Sequence, residues 1–212
     1  MVRDALGVGL AVGTYGVSFG AAASAAGLST LQAFALSALM FTGASQFALV
    51  GVLGSGGAVV TGVLGAILLG TRNTLYAVRL STLLPQRGVR RLIAAHLTID
   101  ETMATSTAAA KSQAGLAFWT TGISLYVVWN LTTVLGAAGA SRLGDPASHG
   151  LDAAVPAAFL GLLWPRLRDG QARRIALAGG LLALAAVPYT PAGVPVLLAG
   201  LAVLPLLLRG SW

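Results

Sequence analysis

From Ala5 to Thr71 the chain carries no formal charge, and its apolar runs are separated by short clusters of glycine, serine and threonine. Continuous apolar runs of this kind predict membrane-crossing helices, each needing about 20 residues. The first run is Ala5 to Ala26. Ala21-Ala22-Ala23 resembles a signal cleavage site, but apolar sequence resumes after Ser29, so the run is expected to stay as an uncleaved helix. Gly27 to Thr30 predicts a turn, and Leu31 to Val52 a second helix. Gly54-Ser55-Gly56-Gly57 ends that run, and Ala58 to Leu84 follows as a third, leading into the basic segment Pro85 to Arg91. Leu92 to Ala110 carries His96, Asp100 and Glu101 among threonines, which predicts either an interfacial helix or one packed within a bundle. Ser112 to Ser141 is uncharged and ample for one span, with Trp119, Tyr126 and Trp129 as expected interface anchors. A loop is expected over Arg142 to Gly150, then a short run to Pro165 that includes Asp152 and Pro156. After the basic segment Arg166 to Arg174, two last runs, Ile175 to Val187 and Val194 to Leu208, flank a proline- and glycine-bearing break.

Composition turns this pattern into a class. The 212 residues are 56% hydrophobic and 9% charged, against about a quarter charged in soluble domains. The expected fold is therefore all-α, a polytopic transmembrane helical bundle of six or seven spans forming one integral-membrane domain over residues 1–212. A transmembrane β-barrel would need apolar and polar residues to alternate in segments of about ten. The 28 glycines suit close helix packing. With no cysteine there is no disulfide framework or thiolate chemistry.

The net charge of +7 does not point to nucleic acid. Arg87, Arg90 and Arg91 cluster in one gap between apolar runs, and Arg166, Arg168, Arg173 and Arg174 in another, as the positive-inside rule expects of cytoplasmic loops. Placing both clusters and both termini on one side requires an even number of crossings before Pro85. Three runs lie there, so one is expected to break and return. The expected break is in the third run: Ala58 to Gly70 enters, Gly70-Thr71 unwinds, and Arg72 leads back. Interrupted helices are the usual pointer to a transporter's binding site.

Arg72 is the residue around which the candidate chemistry gathers. At helical spacing it shares a face with Tyr76 and Arg79. A buried membrane arginine costs roughly 3 kcal/mol on insertion scales, so it faces a bundle interior or wet cavity, unless it snorkels to an interface. Thr42, Gly43, Ser45 and Gln46 form a polar patch in the second run, fit either for interhelical hydrogen bonds or for lining a site. The small-residue stripe with Gly16 and Gly20 fits helix packing as well as a backbone-lined substrate path. Asp100, Glu101 and Asp152 are carboxylates placed for proton coupling, or else interface charges or partners of Arg72 and Arg79. No phosphate-cradling glycine loop occurs. His96 with Asp100 and Glu101 lacks a second ligand pair, so no metal is expected, and no serine is singled out as a hydrolase nucleophile.

Several stretches together resemble the AzlC family of branched-chain amino-acid permeases: Gly13 to Gly20, Ala26 to Ser29, Phe41-Thr42-Gly43-Ala44-Ser45-Gln46-Phe47, Arg72 with Leu75 and Tyr76, Thr98 to Thr102, and Leu151 to Leu160. The likeness implies a multi-pass permease of the bacterial cytoplasmic (inner) membrane, not an enzyme and without a cofactor. It implies export of valine, leucine or isoleucine, driven by an ion gradient, with a small AzlD-like membrane subunit as partner. Arg72 would then hold the substrate carboxylate, with Asn73 and Tyr76 beside it, and Thr42, Ser45 and Gln46 would meet the amino group. Gly70 and Asn73 stand where the family often has asparagine and histidine, so another small amino acid or analogue is an alternative substrate. A non-transporting scaffold subunit is the alternative from another class.

Overall fold

The computed structural model describes residues 1–142 and 154–205, and among these every regular element is helical. In chain order the α-helices are α1 (Val2–Gly13), α2 (Gly16–Ala25), α3 (Thr30–Leu39), α4 (Ala44–Gly54), α5 (Val59–Leu83), α6 (Gly88–His96), α7 (Asp100–Ala108), α8 (Ala114–Ala140), α9 (Ala154–Leu163), α10 (Gly170–Ala186) and α11 (Val194–Ala199). Short 3₁₀ turns follow α9, α10 and α11. Among the described residues, three helical stretches are long and apolar enough to cross a membrane alone: Val2–Ala25, Ala114–Ala140 and Gly170–Tyr189. The helical membrane bundle expected from composition is what the chain forms.

The 27-residue α8 is the central post, packed against α1, α2, α3 and α7. It reaches about 40 Å at 1.5 Å per residue, more than a hydrocarbon core about 30 Å thick. Helices α1 and α2 form one stretch bent at Thr14-Tyr15, where the Thr14 hydroxyl donates back to the Ala11 carbonyl at 2.7 Å, a bond that tends to bend helices. Gly9, Gly13, Gly16 and Gly20 carry this bent helix into contact with α8. A Cβ at Gly20 would overlap the Thr133 carbonyl, and one at Gly16 the Trp129 carbonyl; Gly136 of α8 returns the contact against Val17. The Thr132 hydroxyl donates across to the Gly13 carbonyl at 2.6 Å. Gly16 and Gly20 thus pack closely on α8, as one of their two expected roles requires.

The expected break in the third run is not there. Helix α5 runs unbroken through Gly70 and Thr71, whose hydroxyl only donates back to Leu68 at 2.6 Å. One interior glycine costs about 1 kcal/mol relative to alanine, too little to open a 25-residue helix. The interruption lies one run earlier, between α3 and α4. There Gly43 has φ +62° and ψ −94°, a conformation that L-residues avoid and that ends the helical ladder. A second interruption, which the sequence pattern did not predict, separates α6 from α7 at Leu97–Ile99.

Two aromatic residues also fall elsewhere than expected. Trp129 is only 4% exposed and stacks on Phe19 inside the bundle, so it is no interface anchor. Tyr126 points inward too, donating to the Ala38 carbonyl at 3.2 Å. Both sit on the face of α8 that meets other helices, and packing there outweighs the general aromatic preference for the interface. Peripheral α10 and α11 pack on one another, and α11 touches α5.

The α2–α8 contact gives a direct stability test. Gly20→Val is expected to lower stability by about 1–3 kcal/mol through overpacking, read as thermal unfolding of purified protein in detergent. Gly139→Ala, with nothing within 4 Å of a new Cβ, is expected to leave the midpoint unchanged or raise it.

Candidate functional site

Both helix interruptions open onto one cavity, and each exists because a single side chain closes the hydrogen bonds that the break exposes. Apolar surroundings make unpaired backbone groups costly, so the chain ends at such a break must be accounted for. At the first break Gln46 does most of this. Its Oε1 accepts from the Gly43 N–H at 3.1 Å, and its Nε2 donates to the Leu36 and Ser37 carbonyls at 3.4 and 3.3 Å. The next carbonyl, Ala38, accepts from Tyr126 and from His96 Nε2 at 2.9 Å. Thr42 donates to Met40 at 3.3 Å.

The second break repeats the device with a hydroxyl. Thr102 Oγ1 accepts from the Ile99 N–H at 2.9 Å, and its proton is shared between the carbonyls of Leu97 and Ile99 at 2.9 and 3.0 Å. In both places the stitching residue stands three positions after the residue preceding the helix and accepts from that residue's N–H, one half of a capping box, since neither Gly43 nor Ile99 has a side chain that could return the bond.

The cavity has a volume of about 480 Å³, within the range of small-molecule sites. Thr42, Gly43 and Ala44 bring the start of α4 to its wall; Ile99, Asp100 and Glu101 bring the start of α7. The first N–H groups of a helix have no intrahelical partner, and the helix dipole makes these ends partly positive. Arg72, from the middle of α5, lies between them. Its Nη1 meets Asp100 Oδ2 at 3.0 Å. Tyr76, one turn along α5, adjoins the same carboxylate. The rest of the wall is apolar and aromatic, with Phe41, Phe47, Leu69, Leu125 and Trp129. Arg166, in the 3₁₀ turn after α9, reaches the same space.

Of the residues singled out in the sequence, Arg72, Thr42, Gly43, Asp100 and Glu101 come together here. Gln46 is fully engaged in the break instead. Ser45 is buried towards α5, 3.5 Å from where a Cβ at Gly70 would stand, and its hydroxyl has no partner among the described residues. Asn73 is half-buried on α5 and does not line the cavity. Arg79, expected on the same face as Arg72, is exposed. Asp152 lies outside the described residues. Trp129, Phe41 and Ile99 were missed as site residues. The signal for Trp129 was available: Thr121, Leu125, Trp129 and Thr133 recur at i+4 along α8, and all four are buried.

Chemically, the wall is of mixed charge: the α4 N-terminus and the Arg72 guanidinium offer positive charge, which suits an anion, while Asp100 and Glu101 at the start of α7 offer negative charge beside them.

Comparison with known proteins agrees with this architecture. The family model described as "AzlC protein" matches residues 7–143, which include both interruptions and Arg72. The chain is 33% identical over 174 residues, 79% of its length and 74% of the relative's, to an "Uncharacterized membrane protein" of Archaeoglobus fulgidus. No solved structure matches.

Gln46 separates stitching from ligand contact. Gln46→Leu is expected to orphan the Gly43 N–H and the Ser37 carbonyl, at about 1–3 kcal/mol for each buried group. Gln46→Glu, which still accepts but no longer donates, should fall between it and wild type in thermal unfolding in detergent.

Proposed function

The chain belongs to the AzlC family of membrane permease-type proteins, and from that premise we propose that it exports branched-chain amino acids across the bacterial cytoplasmic membrane by ion-coupled secondary transport. The observation that carries the reading is Arg72 on the cavity wall between the starts of α4 and α7. The guanidinium and the α4 N-terminus hold the amino acid's carboxylate. Thr42, whose hydroxyl lies at that same N-terminus, stands near the rest of the head group. Phe41, Phe47, Leu125 and Trp129 take the branched side chain, for which burial of apolar area is the main favourable term. A space of about 480 Å³ leaves room for valine, leucine or isoleucine with some water.

Glu101, beside Asp100 on the wall, is the carboxylate best placed to carry a coupling proton, with Asp152 as a further carrier. Tyr76 stands beside the Asp100 carboxylate, and Asn73, next to Arg72 in the chain, is set back from the cavity wall. A small AzlD-like membrane subunit completes the transporter; the apolar outer faces of α5 and α10, with Leu75, Val78, Leu177 and Leu181 exposed, suit lipid or such a subunit.

Arginine and lysine differ at such a site, because only the guanidinium offers a planar fork. Both Arg72→Ala and Arg72→Lys are expected to lower valine and leucine efflux from loaded cells by tenfold or more, about 1.4 kcal/mol of lost carboxylate binding. Efflux unchanged in both variants would remove Arg72 from the site.

A further inference from the structure

The ion pair between Arg72 and Asp100 is incomplete on both sides. A guanidinium and a carboxylate can form two parallel hydrogen bonds; here one contact is made, Nη1 to Oδ2 at 3.0 Å. Beyond that contact, Arg72 Nε and Asp100 Oδ1 are buried without a hydrogen-bond partner among the described residues. Both side chains keep about a third of their surface accessible, 33% and 30%, and both line the cavity. The site therefore holds an unused donor on its cation and an unused acceptor on its anion.

We propose that Asp100 occupies the place that the cargo's carboxylate takes on loading, so that binding is an exchange of ion pairs. This rests on the transport reading above and names how the site chooses its cargo. On entry the cargo carboxylate takes Arg72 and the cargo ammonium takes Asp100. The 3.0 Å contact breaks, and neither protein charge is left alone. The other charged groups on the wall are Glu101, next to Asp100, and Arg166, in the 3₁₀ turn after α9; neither stands between the pair.

The selectivity follows from what each incomplete cargo leaves behind. A carboxylate without an ammonium satisfies Arg72 but displaces Asp100 into an aromatic-walled space with no counter-charge. An amine without a carboxylate does the reverse. Truncating one member of a half-buried charge pair costs more than the pair is worth, because the survivor remains desolvated. A zwitterion alone meets both requirements, so Asp100 is a specificity-determining residue: it rejects monoanions of the right size and shape.

The test uses the full chain with any subunit that co-purifies, in lipid nanodiscs, and three probes of one carbon skeleton: leucine, 4-methylpentanoate (no ammonium) and 3-methylbutylamine (no carboxylate). In wild type, only leucine is expected to displace labelled leucine. Asp100→Asn is expected to bind leucine about tenfold more weakly and 4-methylpentanoate about tenfold more tightly. Asp100→Glu should restore the preference for leucine. Loss of leucine by Asp100→Asn with no gain of 4-methylpentanoate would overturn the exchange. Should Asp100→Asn not fold, wild type decides: displacement of leucine by 4-methylpentanoate at similar concentration overturns the exchange, and its failure to displace supports it. Wild type binding no leucine at all would instead overturn the transport reading, a result distinct from either of these.

Discussion

Every polar group of the backbone in an apolar bundle needs a partner, and this requirement decides where the chain can open. A helix broken inside such a bundle exposes carbonyls on one side and N–H groups on the other. Gln46 and Thr102 each bind both sides of a break with one side chain. Without them, α3–α4 and α6–α7 would gain by closing into continuous helices or by moving to water. With them, two helix starts stand in the interior and line a shared cavity. The site is thus a consequence of how two breaks are closed.

The placement of charge follows from the same breaks. Asp100 is the first residue of α7, where a carboxylate is favoured by the partial positive charge of the helix end. Arg72 has no break of its own; it sits in the middle of a continuous helix and relies on what neighbouring helices present. The second break supplies that partner at 3.0 Å. This resolves in part the alternatives left open by the sequence: Asp100 is a partner of Arg72, whereas Arg79 is exposed and unpaired among the described residues.

How much of this could be read beforehand differs from residue to residue, for physical reasons. The apolar runs located α1–α2, α5, α8 and α10 because hydrophobicity over a span is a strong, local signal. The turn at Gly27–Ser29 was legible too, and Gly27 at φ +86° with a capping box between Ser29 and Gln32 makes it. The position of the break was not. Loop charges fix only the parity of crossings, and parity says only that some run must be irregular. Gly70 and Gly43 look alike in that count. What separates them is a residue three places on that can bind backbone: Gln46 after Gly43, Asn73 after Gly70, with only the glutamine long enough to span both sides. The break at Leu97–Ile99 was hidden for a related reason, since Thr102 looks like one more threonine in a polar segment. The polar patch Thr42 to Gln46 was recognised, but its members divide between lining a cavity and holding a turn, and spacing alone does not sort them.

The apolar side of the cavity has a different origin, and the difference bears on selectivity. Leu125 and Trp129 come from α8, whose opposite contacts are fixed by glycines that admit no added atom: Gly13 and Gly16 press on Val128 and Trp129, and Gly20 on Thr133. A post held this closely cannot shift without opening backbone-to-backbone contacts along much of its length, because close-packed interiors transmit displacement rather than absorb it. Phe19 and Phe47 pack on the Trp129 ring from α2 and α4 and hold its orientation. The polar side, by contrast, is built from two helix ends and one ion pair, which can exchange partners with little movement of the chain. In the proposed transport, the cavity would therefore combine a wall that fixes the size of an apolar side chain with a head-group site that responds to charge. Discrimination by the wall is bounded at about 1–3 kcal/mol for one methylene, while a charge left without a partner costs more. Among ligands of one size, the polar side decides what enters; among ligands of one charge pattern, the wall does.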